Sequence, residues 1–476
     1  MFYRSPLPSA CADVIPFYDG GEFKLFYLRD LRDGREGCPW CLVSTPDLAR
    51  YTEHGEVLPR GSRDEQDRWV FTGSCIKHGG EYYIFYTGHN SHFPKEGLPL
   101  EKILLARSRD LLHWEKDTAF ALEAPAWLSD SDFRDPFVFY DEEKGRFGML
   151  ITSRLAEGET DLPGQYRGVT AVAWSSDLLH WEVAREPFYA PGAYYAPECA
   201  DLFEMGGWWY LVCSEFTDKF TTTYRMARGP GGPWVSPKVN SFDGRAFYAA
   251  KSACDGKRRV MFGWNCTKNN DRDNGHWQWG GNIVAHELVQ EADGTLHVKC
   301  PREVREHYCA PLPFEEAYRF GAVEGRAVGD CAGQGARIYA GMPDACRLEL
   351  RFTTTDDAGE FGVLLRERDH MGQYYAVKFE PKHNRLAFDR WPRRDSCVHT
   401  QVDVERHCPL CPGEENRLCV LVQGSVLEVY VNDRVAMSAR MYDFDGGGFG
   451  VYARYTTVEF GAPALWGPGG GTHHDQ

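Results

Sequence analysis

Three acidic side chains stand at matching places in a repeated pattern: Asp13 in Ala-Asp-Val, Asp135 in Phe-Arg-Asp-Pro-Phe, and Glu198 in Pro-Glu-Cys-Ala-Asp-Leu-Phe. Each opens a short strand-like run that leads through a turn into an aromatic and aliphatic stretch. Thr72-Gly73-Ser74 and Tyr248-Ala249-Ala250 hold the equivalent place in two further copies. A lone Asp ahead of a strand is usually a turn or capping residue. Three acids in register, brought to one point, supply what cleavage of a glycosidic bond needs. One carboxylate attacks or activates water, and another protonates the leaving oxygen. Acids in unlike surroundings have their pKa values pushed apart, so both roles become available at one pH. On this reading the neighbouring acids Asp132, Asp201 and Glu215 stand aside from the chemistry.

The elements that must position these acids follow from the repeat itself. The copies read DVIPFYDGGEFKLFYLRD, FTGSCIKHGGEYYIFYTGHN, FRDPFVFYDEEKGRFGMLITSR, PECADLFEMGGWWYLVCSEF and FYAAKSACDGKRRVMFGWNC. Gly20-Gly21, Gly79-Gly80 and Gly206-Gly207 supply the positive φ of tight hairpins. The copies recur about every 50–65 residues, a propeller spacing. A second element, SRDLLHWEK around Trp114 and SSDLLHWEV around Trp181, with STPDLARYTE around Tyr51 as a looser copy, reads as the outer half of a blade. Residues 1–305 are therefore expected to form a five-bladed β-propeller, whose innermost strands line a central channel. Beyond it, 315–466 carries alternating strands such as CRLELRFTT, RLAFDRWP and VLEVYVND, and is expected to form a β-sandwich. The Gly-rich end, 467–476, reads as a disordered tail. The fold class is all-β.

Composition narrows the partners. The chain has 476 residues and a formal net charge of −16, which disfavours nucleic acids and anionic membranes because both reward Lys and Arg. No apolar run is long enough for a membrane span. The first residues, MFYRSPLPSACADV, lack the apolar core of a secretory signal, so a cytoplasmic location is expected. In that setting the 16 Cys should stay reduced, including the pairs Cys38-Pro-Trp-Cys41 and Cys408-Pro-Leu-Cys411. No His spacing among His89, His92 and His276 suggests a metal site. Aromatic residues make up 14%, enough to stack on sugar rings as well as to build strands. Trp40 and Trp69, which fall between expected strands, are the first candidates for such stacking, ahead of Trp264, Trp277 and Trp279.

The motifs Arg134-Asp135-Pro136, Pro197-Glu198-Cys199-Ala200-Asp201, Phe71-Thr72-Gly73-Ser74, Phe247-Tyr248-Ala249-Ala250 and Phe262-Gly263-Trp264, in this order, resemble glycoside hydrolase family 32, the β-fructosidases. The resemblance extends into the second domain through YYAVKFEPKHNRLAFDRWP and VYVNDRVAMSARMYDFDGGGFGVYA. It implies a retaining hydrolase of β-fructofuranosidic bonds in short fructosides. Asp13 would be the nucleophile, Glu198 the acid/base, and Asp135 the holder of sugar hydroxyls. Arg134, Trp40, Trp69, Ser74, Tyr248, Lys251 and Trp264 would line the substrate site. No metal or organic cofactor is implied. The partner is a small oligosaccharide, and the sandwich is expected to brace the propeller or to serve self-association.

The sequence departs from the family pattern at three places. The first motif reads Ala12-Asp13-Val14-Ile15 where the family has Asn-Asp-Pro-Asn. Leu28 stands for a Gln, and Ala246 for an acid. Arg29, Asp30 and Lys251 are candidates to replace the missing polar contacts. Two other readings stand beside the fructosidase. One is an inverting five-bladed glycosidase on another furanoside, such as an arabinofuranosidase, with carboxylates about 6.5–9.5 Å apart rather than about 5–5.5 Å. The other is a sugar-binding propeller without catalysis.

Overall fold

The computed structural model describes residues 2–217, 219–355, 359–390 and 402–469. Blade I consists of strands Ala10–Asp19, Glu22–Asp30, Trp40–Thr45 and Thr52–Leu58, each antiparallel to the next. Asp19 pairs with Glu22, so Gly20 and Gly21, at φ +63° and +86°, form a two-residue hairpin. Residues with a Cβ rarely adopt that pair of angles. Blade II runs Trp69–His78, Glu81–His89, Glu101–Ser108 and Glu115–Lys116, and blade III runs Arg134–Asp141, Arg146–Arg154, Gly168–Ser175 and Glu182–Val183. Blade IV contributes Glu198–Met205, Trp208–Glu215 and Thr221–Ala227, and blade V contributes Phe247–Cys254, Arg259–Lys268 and Trp277–Gln290.

The outer turns repeat as closely as the hairpins. In blade II Ser108 Oγ accepts from Leu111 N, Asp110 Oδ1 accepts from Leu112 N and His113 N, and Trp114 Nε1 donates to Leu111 O. Blade III repeats every one of these bonds with Ser175, Asp177, Leu178 and Trp181. The first Leu of the turn, Leu111 or Leu178, lies at φ +68° and +69° in the two blades. The Asp and Ser side chains replace the backbone partners that such a turn leaves unmet.

Ring closure uses the N-terminus. Tyr3–Arg4 pairs antiparallel with Ile283 and Asn282 of blade V, and Gly281 pairs with Cys11 of blade I. The chain start therefore pairs with the same strand of the last blade that Leu296–Lys299 extends further along, so both ends of the propeller segment meet on blade V.

Behind the propeller, strands from Ala310 to Gly467 form two antiparallel sheets packed face to face, of nine and seven strands among the described residues. Phe352, Val420 and Leu348 from one sheet meet Phe361, Phe379 and Val451 from the other in a single core. Gly467, placed in the tail by its composition, is the last residue of strand Ala464–Gly467 and pairs with Ala310. Residues 470–476 lie outside the described residues, as do Trp391 and Pro392 at the end of the expected strand RLAFDRWP. Among the described residues no helix is long and apolar enough to cross a membrane.

The seam between blades I and V carries a testable consequence. A Cβ on Gly281 would overlap the Asn265 carbonyl oxygen and press on the Arg440 guanidinium. Gly281→Ala is expected to destabilise the protein by about 1–3 kcal/mol, the usual cost of overpacking, read as a lower urea midpoint. An unchanged midpoint would show that the seam is not closed as described.

Candidate functional site

The innermost strand of every blade breaks register at the same level. The ladder slips between Ala12 and Val14, Phe71 and Gly73, Arg134 and Phe137, Glu198 and Asp201, and Tyr248 and Lys251. A bulge leaves a residue unpaired and re-aims side chains next to it. Asp13 and Asp135 sit on their bulges at φ +31° and +56°, as do Cys199 and Ala249 at +55° and +49° in blades IV and V. Non-glycine residues enter this region only where the surroundings hold them there.

The bulges bring the acids into one connected site. Asp13 Oδ2 accepts from Thr72 Oγ1 at 2.5 Å, and its Oδ1 accepts from Trp264 Nε1 at 3.1 Å. Glu198 Oε1 accepts from Arg134 at 3.0 Å, and Oε2 from the Tyr248 hydroxyl at 2.8 Å. The Tyr248 and Trp264 rings meet edge to face at 5.6 Å, so the two donors that serve Glu198 and Asp13 buttress each other. Asp135 Oδ2 accepts from Thr152 Oγ1 at 3.2 Å and from the Cys199 amide at 3.0 Å. Its own amide donates to Thr87 Oγ1 at 2.9 Å.

Electrostatics separate the acids. Burial pushes Glu198 up to about 7; Asp135 and Asp13 add to the rise, while Arg134 and the Tyr248 hydroxyl oppose it. Burial also lifts Asp13 above the ordinary aspartate range, and nearby Asp135 adds to this. Thr72, Trp264 and Lys251 pull it back by favouring the carboxylate. The Arg134 guanidinium is itself buried and touches Asp132 at 2.6 Å, Glu198 at 3.0 Å and Glu101 at 3.5 Å. Despite that burial, these acids hold its pKa well above the usual value.

Several of the residues expected in the site take other roles. Trp40 begins strand Trp40–Thr45 rather than lying in a loop, and it is 0% exposed. It packs on Phe26 and Tyr86 and donates to Phe71 O at 3.1 Å, so it belongs to the core and no sugar reaches it. Trp69 also opens a strand, where it meets His89 edge to face at 5.7 Å and His92 at a tilt at 6.2 Å. The Ser74 hydroxyl is buried and accepts from the Val138 amide at 2.9 Å, joining blades II and III. Lys251 is 2% exposed, and its ammonium is turned to the backbone of blade II, where it donates to Gly73 O at 2.8 Å. Trp264 and Tyr248 are buried too, but their polar atoms meet the acids. Arg29 is engaged by Ser9, and Asp30 by Arg32. Ala12, Leu28 and Ala246 are fully buried, so the three departures from the polar pattern are filled by apolar packing.

Sequence reasoning gave no role at the site to Thr72 or Asp132 and passed over Arg154. Thr72 holds in blade II the register that Asp13 holds in blade I; aligning the repeats placed it at the equivalent point but gave no sign that its hydroxyl would meet Asp13. Asp132 was set aside, yet it holds Arg134 and also takes Arg154 at 3.3 Å. Arg154 in turn stacks on Tyr195, which packs against the exposed Phe216. No local signal marks this line, because it joins loops of two blades.

A propeller whose channel gathers two aspartates and a glutamate held near neutrality has the layout of a glycoside hydrolase. The chain belongs to glycosyl hydrolase family 32: the N-terminal domain model of that family matches residues 15–296, and its C-terminal model matches 330–465. It is 24% identical over 426 residues to the sucrose-6-phosphate hydrolase of Escherichia coli, spanning 85% of this chain and 80% of that one. It is 25% identical over 478 residues to the raffinose invertase of Escherichia coli, spanning 94% and 90%. Among solved structures, sucrose-6-phosphate hydrolase from Lactobacillus gasseri shares the fold with a TM-score of 0.74 at 18% identity, covering 98% of this chain and 92% of that chain. Fructan 1-exohydrolase IIa from Cichorium intybus does so with a TM-score of 0.74 at 15% identity, covering 98% and 97%.

The glutamate environment can be read directly. Carbon-13 NMR of glutamate-labelled protein is expected to show a carboxyl titrating near pH 7 that vanishes in Glu198→Gln. In Tyr248→Phe that resonance should titrate at higher pH, since the lost hydrogen bond favours the ionised form. A Glu198 signal titrating near pH 4 would refute the described environment.

Proposed function

We propose that the protein hydrolyses β-fructofuranosidic bonds in short fructosides with retention of configuration. Asp13 attacks the anomeric carbon while Glu198 gives its proton to the departing oxygen. Glu198 then takes a proton from water as that water releases the sugar from Asp13. The observation that carries this reading is the unlike treatment of the two acids. Both Asp13 oxygens receive donors that favour a carboxylate, whereas Glu198 is lifted to about 7 and so retains a proton near neutrality. Asp135, fixed through Oδ2 by two donors, is left with Oδ1 for a sugar hydroxyl. Membership of family 32 and the names of the relatives support a fructoside as substrate.

The fully buried apolar residues Ala12 and Leu28 favour short substrates recognised by few polar contacts on that side. A site loses discrimination where a polar partner is absent. Sucrose, phosphorylated sucrose, and short inulin- and levan-type oligosaccharides form the panel that ranks them.

The test is turnover with anomer analysis. NMR of the first product should show the β-anomer of fructofuranose before mutarotation; initial inversion would favour the arabinofuranosidase-like alternative. Asp13→Asn is expected to lower kcat by about 10⁴-fold or more. Glu198→Gln should lower it by about 10²–10⁴-fold on substrates with poor leaving groups. Unchanged turnover in either variant would remove that residue from its role. Binding of fructans with no hydrolysis across the panel would favour the non-catalytic reading.

A further inference from the structure

Lys251 is a buried cation that the proposed mechanism does not use. It follows the bulge of blade V and is 2% exposed. Its ammonium group donates to the carbonyl oxygen of Gly73 in blade II at 2.8 Å. Blades V and II are not neighbours; they flank blade I, which carries Asp13 on its inner strand. The acceptor, Gly73, directly follows Thr72, whose hydroxyl holds Asp13 Oδ2 at 2.5 Å. Gly73 has no freedom to move aside, since even a Cβ there would overlap the Phe85 carbonyl oxygen.

The charges around Asp13 give the ammonium a second use. Facing Asp13 are Asp135 from blade III and Glu198 from blade IV, the thiols of Cys38 and Cys199, the Tyr248 phenol, and Lys251. Arg134 is committed to Glu198, Asp132 and Glu101. Lys251 thus supplies the positive charge on the Asp13 side of the channel, and it also faces Asp201.

We propose that Lys251 is a positioning residue for Asp13, bracing the Thr72-Gly73 bulge across the channel and holding Asp13 as the carboxylate in a site where its acidic neighbours oppose ionisation. This rests on the reading of Asp13 as nucleophile. Lys251 touches no substrate, so its loss should lower kcat far more than it raises KM.

The experiment compares Lys251→Met, Lys251→Gln and Thr72→Val with the parent protein, using the full chain and a fructoside it turns over. The readouts are kcat, KM, the pH profile of kcat/KM and the thermal midpoint. Asp13 must be ionised to attack, so activity falls on the acid side as pH drops through its pKa. Removing the ammonium should move that acid limb to higher pH by about 1–3 units. The alkaline limb, where Glu198 loses its proton, should move less. Lys251→Gln, which keeps a donor but no charge, should retain more of kcat than Lys251→Met while showing the same displaced limb. Thr72→Val should move the acid limb in the same direction, and the double variant with Lys251→Met should fall short of additivity, since both act on Asp13 along one line.

A folded Lys251→Met protein with the parent's acid limb overturns the proposal. If neither Lys251 variant folds, Thr72→Val decides, and an unmoved acid limb there overturns the proposal equally. Asp13→Asn separates the two levels. If it keeps its turnover, the nucleophile reading itself fails. If it is inactive while Lys251→Met keeps the parent's profile, only the role of Lys251 fails.

Discussion

The structure depends on keeping several carboxylates close together and out of water. Asp13, Asp135, Glu198 and Asp201 all lie at the bulges of inner strands, and Asp135 and Asp201 are buried. Desolvation and mutual repulsion both oppose charge in such a place. Three remedies are visible. Arg134 shares its guanidinium among Glu198, Asp132 and Glu101. Neutral donors from Thr72, Trp264, Thr152, Ser252 and backbone amides satisfy the carboxylate oxygens. Glu198 yields by holding a proton up to about 7. A site that must store one proton among several acids is already arranged to deliver it.

The geometry that permits this is paid for in the backbone. Continuing the pleat would send alternate side chains of an inner strand to opposite faces of the blade. The slip near Asp13, Thr72, Asp135, Cys199 and Ala249 interrupts that alternation at one level in all five blades. The positive φ of Asp13 and Asp135 is strain that an isolated hairpin would relax. Around them the neighbouring blades are locked by Ser74 Oγ to Val138 N and by Thr87 Oγ1 to Asp135 N, so relaxation would break contacts on two blades at once.

The sandwich is joined to the propeller by polar groups as well as by apolar packing. Asp243 accepts from His286 Nε2 at 3.0 Å and from Ser438 Oγ at 2.6 Å. Ser438 Oγ also lies 2.9 Å from Glu428 Oε2. One hydroxyl has one proton to give, so the contact with Glu428 is a hydrogen bond only if Glu428 brings its own. Burial, which holds its pKa well above the usual range, provides that proton. Nearby, Arg440 donates to Asn265 O and Asn282 Oδ1, and Lys268, at the end of the strand that carries Trp264, pairs with Asp403 of the sandwich. The described cysteines are free thiols, so no disulfide among the described residues ties the two parts. The three buried groups Asp243, His286 and Glu428 lie close enough to resemble a metal cluster, yet their oxygens and nitrogens already serve one another and Ser438.

How far the sequence reached can be judged residue by residue. Local rules carried the hairpins, because Gly20-Gly21 and the Ser-X-Asp-Leu-Leu-His-Trp turns, where X is Arg109 or Ser176, encode their own backbone angles and partners. Repetition carried the architecture: five like copies cannot bury their apolar faces singly, and radial packing buries them all. The same repetition marked Asp13 and Asp135, which hold the bulge of their blades, but Glu198 stands one residue ahead of it, at the paired place that Arg134 and Tyr248 hold in blades III and V, and Cys199 takes the bulge. Repetition did not separate Trp40 from Trp264. Both are fully buried tryptophans beside expected strands, and only packing shows that one indole N–H serves the Phe71 carbonyl while the other serves Asp13. Nor did it give Lys251, expected to line the substrate site, or Thr72 its partner, because those partners lie on other blades. Sequence by itself determined the repeat, the strand class and the positions of the acids, because these follow from neighbours along the chain. Which donor meets which carboxylate, and how much each acid is shifted, was decided by the closed ring, because burial and charge are properties of what the other blades bring alongside.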